Sequence, residues 1–543
     1  MSLHGLMMEQ PLLISSIISH AAAIHGRSEI VSSDAAGQIH RYTYRDSARR
    51  IAQLAHALTG LGVRPGDRVA TVAWNNYRHF ELYYAISGIG AVCHTVNPRL
   101  FRDQLIHIFN HAEDRFVFVD PELMPLVASL KAELPKIEGV IVMAGPDGMA
   151  DTPFPITCYE TLLDGQPESF DWPAFDERSA AALCYTSGTT GNPKGVLYSH
   201  RSTVLHALSA ITAHDGRFTS RDIFLPVVPM FHVCAWGYPY LCPMMGINMV
   251  MPGPRLDGAS LHALMEGEKV TATAGVPTIW FGLMEHLRQT GGTLSHLKKM
   301  LCGGAAAPLA LIEAIESHGI EFIHGWGLTE TSPIAAACAS VPDEHNASAG
   351  DRLRYKLRQG RPPFGIEMRI VDDAGNRLPH DDEATGEVLV RGNNVTSGYY
   401  RDEGEAGPFD ADGWFRTGDI GKIDGDGCLQ LTDRAKDLIK SGGEWISSIE
   451  LENAALGHAG IAAAAAIAIP HPKWGERPLL VVVPQEGEAP SKADIIGFLE
   501  DQVAHWWLPD DVAYIEAMPL TATGKVSKRQ LRERFHDYKL PTA

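Results

Sequence analysis

The stretch YTSGTTGNPKGVLYSH, Tyr185 to His200, packs hydroxyls, glycines and one lysine into a few positions. Small residues expose backbone N–H groups, and with the hydroxyls of Thr186, Ser187, Thr189 and Thr190 they make a donor set suited to a polyphosphate. Gly188 and Lys194 frame that set. The P-loop of kinases and GTPases is excluded by spacing. That motif needs a second glycine five positions after the first and a lysine opening a helix, whereas here Pro193 stands at that place and Gly195 follows Lys194. Proline fixes its own φ and turns the preceding residue away from helix, so a hydroxyl-rich hairpin is expected. The same residue types build ordinary turns, but AALCY before the stretch and GVLYSH after it are apolar strand signals that a solvated turn lacks.

Four further motifs carry candidate chemistry. In HGWGLTETSP, His324 to Pro333, Trp326 between Gly325 and Gly327 offers an unobstructed face to a planar ring. Thr329 and Glu330 follow, a hydroxyl and a hard carboxylate suited to Mg²⁺ carried with phosphates; a turn and helix cap would use the same residues. In GWFRTGDIG, Asp419 could accept both hydroxyls of a ribose, or simply serve a turn. DRAKDLIKSGGEWIS places Arg434, Lys436 and Lys440 ahead of Gly442 and Gly443, and PLTATGKVSKRQL places Lys525 near the C-terminus. Read alone, the last three are solvated charged turns.

The elements that must position these motifs follow from patterning. Between about residues 40 and 260, apolar runs such as RVATVAW, AVCHTV and RFVFVD alternate with helical stretches, which implies βαβ units and parallel sheets. Around GEVLVRG and GWFRTGDIGKIDGDGCLQLTDR the pattern becomes short strands with Gly/Asp turns, a small antiparallel barrel or sheet. After Asp433 a helix, two strands and another helix make a small α+β unit. The expected class is α/β, with a large N-terminal domain over residues 1–433 and a small mobile C-terminal domain over 434–543. The charged DRAKD at 433–437 is the expected hinge.

A chain of 543 residues exceeds a single core, and 45% apolar with 20% charged residues is an ordinary globular composition. A net charge of −19 argues against nucleic acid. Eight cysteines without a CxxC pair read as buried small side chains in a reducing compartment. No apolar run is long enough to span a membrane, and GLMMEQPLLISSIISHAAAIHG carries Glu9 without a basic n-region, so it reads as an amphipathic helix and not a signal peptide. A cytoplasmic protein is expected.

Taken in order, the five motifs resemble the adenylate-forming superfamily of acyl-CoA synthetases, luciferases and peptide-synthetase adenylation domains, over essentially the whole chain. Ala73 to Phe101, Leu225 to Tyr240 and DRAKDLIKSGGEWIS are similar to bacterial medium- and long-chain fatty-acid–CoA ligases, and 3-methylmercaptopropionate–CoA ligases share these segments. The resemblance implies ATP, Mg²⁺ and coenzyme A as cofactors and co-substrates, a carboxylic acid as partner, and a homodimer. It implies that Thr186 and Glu330 hold Mg²⁺, while Ser187, Gly188, Thr189, Thr190 and Lys194 surround the phosphates. Gly303, Gly325, Trp326 and Thr329 would line the adenine side, and Asp419, Arg434 and Lys436 the ribose side. Lys525 would serve the acyl-AMP step. Lys440, Gly442, Gly443 and Trp445 would serve the thioester step with CoA. His232, Trp236, Gly303 and Pro333 would meet the acyl group, with His232 and Trp236 as a gate, although a lone His or Trp is more often plain core. Three other readings stay open: a ligase for short thioether acids, an adenylating protein that hands acyl-AMP to a carrier protein or to oxygen, and a non-catalytic acyl-binding module.

Overall fold

The computed structural model describes the chain apart from residues 1, 2, 4, 150, 187–191, 214–216, 338–345, 403–406, 443, 486, 488–489, 522–524 and 543. Two large sheets dominate. The seven-stranded sheet runs Thr157–Cys158, Gly139–Val142, Phe116–Val119, Arg68–Val72, Val92–Thr95, Ala180–Tyr185, Gly195–Ser199. It is parallel except at its last pair, where Tyr185 faces Gly195 in an antiparallel hairpin. The hairpin expected from Pro193 is therefore present, with its tip outside the described residues.

The eight-stranded sheet is parallel in its interior and antiparallel at both ends. It includes Ile223–Pro226, Ala272–Gly275, Lys299–Cys302 and Glu321–Gly327 as consecutive or near neighbours. Strands such as Val92–Thr95 and Ala272–Gly275 are buried throughout, because helices or the other sheet cover both faces. Helices Ile14–Ile24, Tyr44–Gly60, Tyr77–Gly88 and Tyr238–Met245 form the shared layer between the sheets, with Ile14, Ile18, Tyr44, Phe80 and Tyr238 fully buried. The N-terminal amphipathic helix thus exists but is shorter than GLMMEQ…HG suggested; Leu6, Met7 and Met8 precede it and are exposed.

Strands Ile366–Val371, Gly386–Gly392, Phe415–Ile423 and Leu429–Arg434 make the small antiparallel sheet. Strand Phe415–Ile423 alternates buried and half-buried residues along its length, the signature of one covered face. Beyond it, a five-stranded sheet carries helices on both sides. In Gly475–Pro484, Leu480 and Val482 join one apolar cluster while Leu479 and Val481 join another. Period-two alternation explains how the unbroken LLVVV run serves two cores. The Ala462–Ala466 run lies in strand Ile461–His471.

At the junction, Asp433 is more buried than a charged linker would be. Its Oδ2 accepts hydrogen bonds from the Ser448 N–H at 2.6 Å and the Ser448 hydroxyl at 2.7 Å, holding the start of helix Ser448–Ala455. Ala435 and Lys436, in the turn that follows, are exposed.

Candidate active site

The eight-stranded sheet ends its parallel strands at a cleft of about 1280 Å³, and the seven-stranded sheet reaches the same cleft through strand Ala180–Tyr185. Open α/β sheets leave room for ligands at the carboxyl ends of their strands, where neighbouring loops diverge. Strand Ala180–Tyr185 delivers Thr186, strand Lys299–Cys302 delivers Gly303 and Gly304, and strand Glu321–Gly327 delivers Trp326. The small sheet supplies Asp419 and Arg434 from paired positions on adjacent strands. Lys525 enters from the C-terminal unit.

Thr186 closes the hairpin. Its N–H donates to the Lys194 carbonyl at 2.9 Å, and its Oγ1 accepts from the Lys194 N–H at 3.2 Å. Lys194 Nζ pairs with Asp402 at 3.2 Å and lies 4.9 Å from the Tyr399 ring centre. Ser187, Gly188, Thr189 and Thr190 lie outside the described residues.

The nucleotide-like side is built on Trp326. Its indole is buried against Met368, Val388 and Phe415, and its Nε1–H donates to Asp419 Oδ2 at 2.9 Å. The other Asp419 oxygen accepts from Arg434 Nε at 2.6 Å. Burial raises the Asp419 carboxyl, while Arg434, the Trp326 hydrogen bond and Lys525 pull it back down. The tryptophan therefore supplies a donor to Asp419 as well as a ring face. Gly327 is obligatory: a Cβ there would stand 1.7 Å from the Pro333 carbonyl oxygen. Gly325 is under no such constraint, with nothing nearer than 3.7 Å.

Thr329 is buried and its carbonyl accepts from the Tyr198 hydroxyl at 2.6 Å. Glu330 stays at the cleft, its Oε1 accepting from the Tyr399 hydroxyl at 2.7 Å. Lys525 lies against Gly304: a Cβ on that glycine, whose φ is +79°, would be 3.5 Å from the lysine Cε. Burial first, then Arg434, lower the Lys525 ammonium to about 8, with Asp419 opposing.

On the other side of Lys525 the wall is apolar. Trp236 faces the glycines, since a Cβ on Gly303 would come within 3.0 Å of its Cη2. His232 is held neutral, its pKa pushed to about 3 by burial and by Lys525. Val233, Cys234, Ala235 and Trp236 all have positive φ, between 45° and 54°. Such a left-handed turn costs about 1–2 kcal/mol per residue and persists only where its surroundings enforce it. Here buried Val233, Cys234 and Ala235 anchor it, and Trp236 is the side chain it presents. Pro333 lines the cleft and its carbonyl accepts from the Leu328 N–H at 3.2 Å.

Lys440, Gly442 and Trp445 are not brought to the cleft. Lys440 is exposed, with Nζ 4.7 Å from the centre of the half-exposed Trp445 ring, and the Gly442 N–H donates to the Trp474 carbonyl at 2.7 Å. Gly443 lies outside the described residues. Lys436 lines the cleft edge. Sequence reasoning missed Tyr399, whose only signal was a pair of tyrosines in the loop TSGYYRD. It also missed the left-handed turn, which no glycine before Gly237 marks.

A hairpin bearing Thr186 and Lys194, a buried ring beside a carboxylate–guanidinium pair, and a lysine close to both that pair and an apolar wall line one cleft. Residues 18–400 match the AMP-binding enzyme family and residues 450–525 match the AMP-binding enzyme C-terminal domain; the chain belongs to this family. It is 48% identical to a 3-methylmercaptopropionyl-CoA ligase of Ruegeria lacuscaerulensis, over 98% of this chain and 99% of that one. It is 44% identical to a medium-chain-fatty-acid–CoA ligase of Ectopseudomonas oleovorans, over 98% of each. Among solved structures, ATP-bound MatB from Rhodopseudomonas palustris aligns with a TM-score of 0.81 at 26% identity, covering 97% of this chain and all of that one.

Proposed function

We propose that this chain is an ATP-dependent ligase that joins a monocarboxylic acid to coenzyme A by way of an acyl-AMP. The observation that carries the reading is the position of Lys525, between the Asp419–Arg434 pair and the apolar wall at Trp236. An acid and the α-phosphate of ATP are both anionic and repel each other; a cation at their meeting point lowers that barrier. A carboxylate oxygen attacks the α-phosphorus and pyrophosphate leaves. The CoA thiol then attacks the acyl carbon, loses its proton, and AMP leaves.

Asp419 would hold the ribose hydroxyls, with Arg434 keeping it ionised. Trp326 would flank the adenine and fix Asp419. The hairpin with Lys194 would surround the departing phosphates. Among the described residues there is no cluster of three His, Cys, Asp or Glu able to cage a metal. Thr186 and Glu330 offer only hard oxygens, a sparse set that fits Mg²⁺ arriving with the phosphates. Bound Mg²⁺ would neutralise charge on those phosphates.

Two domains divide near 433–437, and rotation about the exposed Ala435–Lys436 turn would exchange Lys525 for Lys440, Gly442, Gly443 and Trp445 in the thioester step. A cytoplasmic location and a homodimer belong to the same proposal. Among the described residues no helix is long and apolar enough to cross a membrane.

The acid is monocarboxylic because segments Val228–Tyr238 and Val276–Phe281 bring no ionised side chain to the wall, His232 being neutral. A medium-chain fatty acid suits this wall. The relative of 48% identity favours a second reading, 3-methylmercaptopropionate. CoA-dependent AMP release across acids from propionate to palmitate, with the thioether acid included, separates the two. Each buried methylene should add about 0.8 kcal/mol to transition-state binding until the wall is full, with a maximum near octanoate. A series flat or falling beyond four carbons, with the thioether acid preferred, would overturn the fatty-acid reading.

A further inference from the structure

Segment 394–402 ties two parts of the cleft together. The Asn394 Nδ2 donates to the Thr331 carbonyl at 2.8 Å, the Thr396 N–H to the Glu330 carbonyl at 2.7 Å, and the Tyr400 N–H to the Gly195 carbonyl at 2.8 Å. The segment is thereby fastened both to the turn that bears Glu330 and to the hairpin that bears Thr186 and Lys194. Between those anchors, the Tyr399 hydroxyl donates to Glu330 Oε1 at 2.7 Å, and its ring faces Lys194 Nζ at 4.9 Å.

We propose that Tyr399 is a positioning residue: its hydroxyl fixes the Glu330 carboxylate so that the remaining oxygen is free for the Mg²⁺ that accompanies ATP. The proposal rests on the metal role assigned above to Glu330. A glutamate side chain has three rotatable bonds, and holding it in one rotamer costs conformational entropy. A hydrogen bond to an ionised carboxylate is of the stronger kind and supplies that restraint before the ligand arrives. The Tyr399 ring also faces the hairpin lysine, so one side chain orients groups on both sides of the phosphates.

Tyr399→Phe removes the hydroxyl and leaves the ring that packs in the core and faces Lys194. ATP binding is measured by calorimetry without acid or CoA while Mg²⁺ is titrated. The Mg²⁺ concentration for half-maximal ATP binding should rise about 10–100-fold, as expected for loss of one hydrogen bond to a charged group. Affinity at saturating Mg²⁺ and the melting temperature should stay near those of the parent. An unchanged Mg²⁺ dependence overturns the proposal, as does an equal loss of affinity at every Mg²⁺ concentration with a lowered melting temperature. Glu330→Gln is measured in parallel. If it leaves the Mg²⁺ dependence untouched, the Glu330 reading fails and this proposal with it. If it shifts the dependence and Tyr399→Phe does not, only the role of Tyr399 is lost. The double variant should show no further shift than Glu330→Gln alone.

Discussion

Raising the pH from 7 to 9 should discharge Lys525 in the parent protein and leave a Lys525→Arg variant charged. The lysine titrates at about 8 because it is buried and close to Arg434. With that value about nine-tenths of the ammonium is present at pH 7 and about one-tenth at pH 9. The sign is fixed: a lowered lysine pKa means the charged form is lost as pH rises through the folded value. kcat/KM reports groups of the free enzyme, so it should be level near pH 7 and fall about tenfold by pH 9. The assay is ATP–pyrophosphate exchange without CoA, which keeps the titrating CoA thiol out of the profile. Lys525→Arg will be slower, because a planar fork cannot copy a point charge, but its profile should stay level across the same range. Arg434→Ala should move the break to higher pH and Asp419→Asn to lower pH, since Arg434 depresses and Asp419 supports the ammonium. A parent profile level to pH 10, or the same fall in Lys525→Arg, would refute the reasoning.

Glu330→Gln should slow exchange by roughly two orders of magnitude at limiting Mg²⁺, a several-kcal/mol loss of charge stabilisation; near-normal exchange there would remove the metal role. Trp326→Phe keeps a ring but frees one buried Asp419 oxygen and leaves a gap in the cluster, so KM for ATP should rise about 5–10-fold and the melting temperature should fall; a variant with both unchanged would remove the indole's role. Gly327→Ala must push a methyl against the Pro333 carbonyl, and thermal denaturation should register a loss of about 3 kcal/mol or more; a variant as stable as the parent would mean the turn can rearrange freely.

The sheets were legible in the sequence because fully buried parallel strands must be written as unbroken apolar runs. Pro193 announced a hairpin in place of a helix for the same kind of reason, since its ring leaves the backbone few choices. The site was legible only in part. Thr186, Trp326, Asp419 and Lys525 sit in short glycine-marked motifs and all line the cleft. What those motifs could not report is contact across the chain. The Trp326–Asp419 hydrogen bond joins residues 93 positions apart, and the Tyr399–Glu330 bond joins residues 69 apart. The left-handed turn at Val233–Trp236 was invisible because its residues are poor candidates for positive φ, and only packing holds them there. The same limit applies at the junction, where Asp433 looked like linker and is a buried acceptor for Ser448.

The most direct test of the account asks whether two lysines divide two chemical steps between them. Lys525 is at the cleft and Lys440 is on an exposed hairpin away from it. The two half-reactions are measured separately in Lys525→Ala and Lys440→Ala: acyl-AMP formation from acid and ATP, and thioester formation from pre-made acyl-AMP and CoA. Loss of a preorganised cation should cost about 3 kcal/mol, on the order of a hundredfold in rate. Lys525→Ala should lose the first step by that factor and retain the second, and Lys440→Ala should do the reverse. Equal damage to both steps in both variants would contradict the account, and would mean a single fixed site in which the two lysines act together.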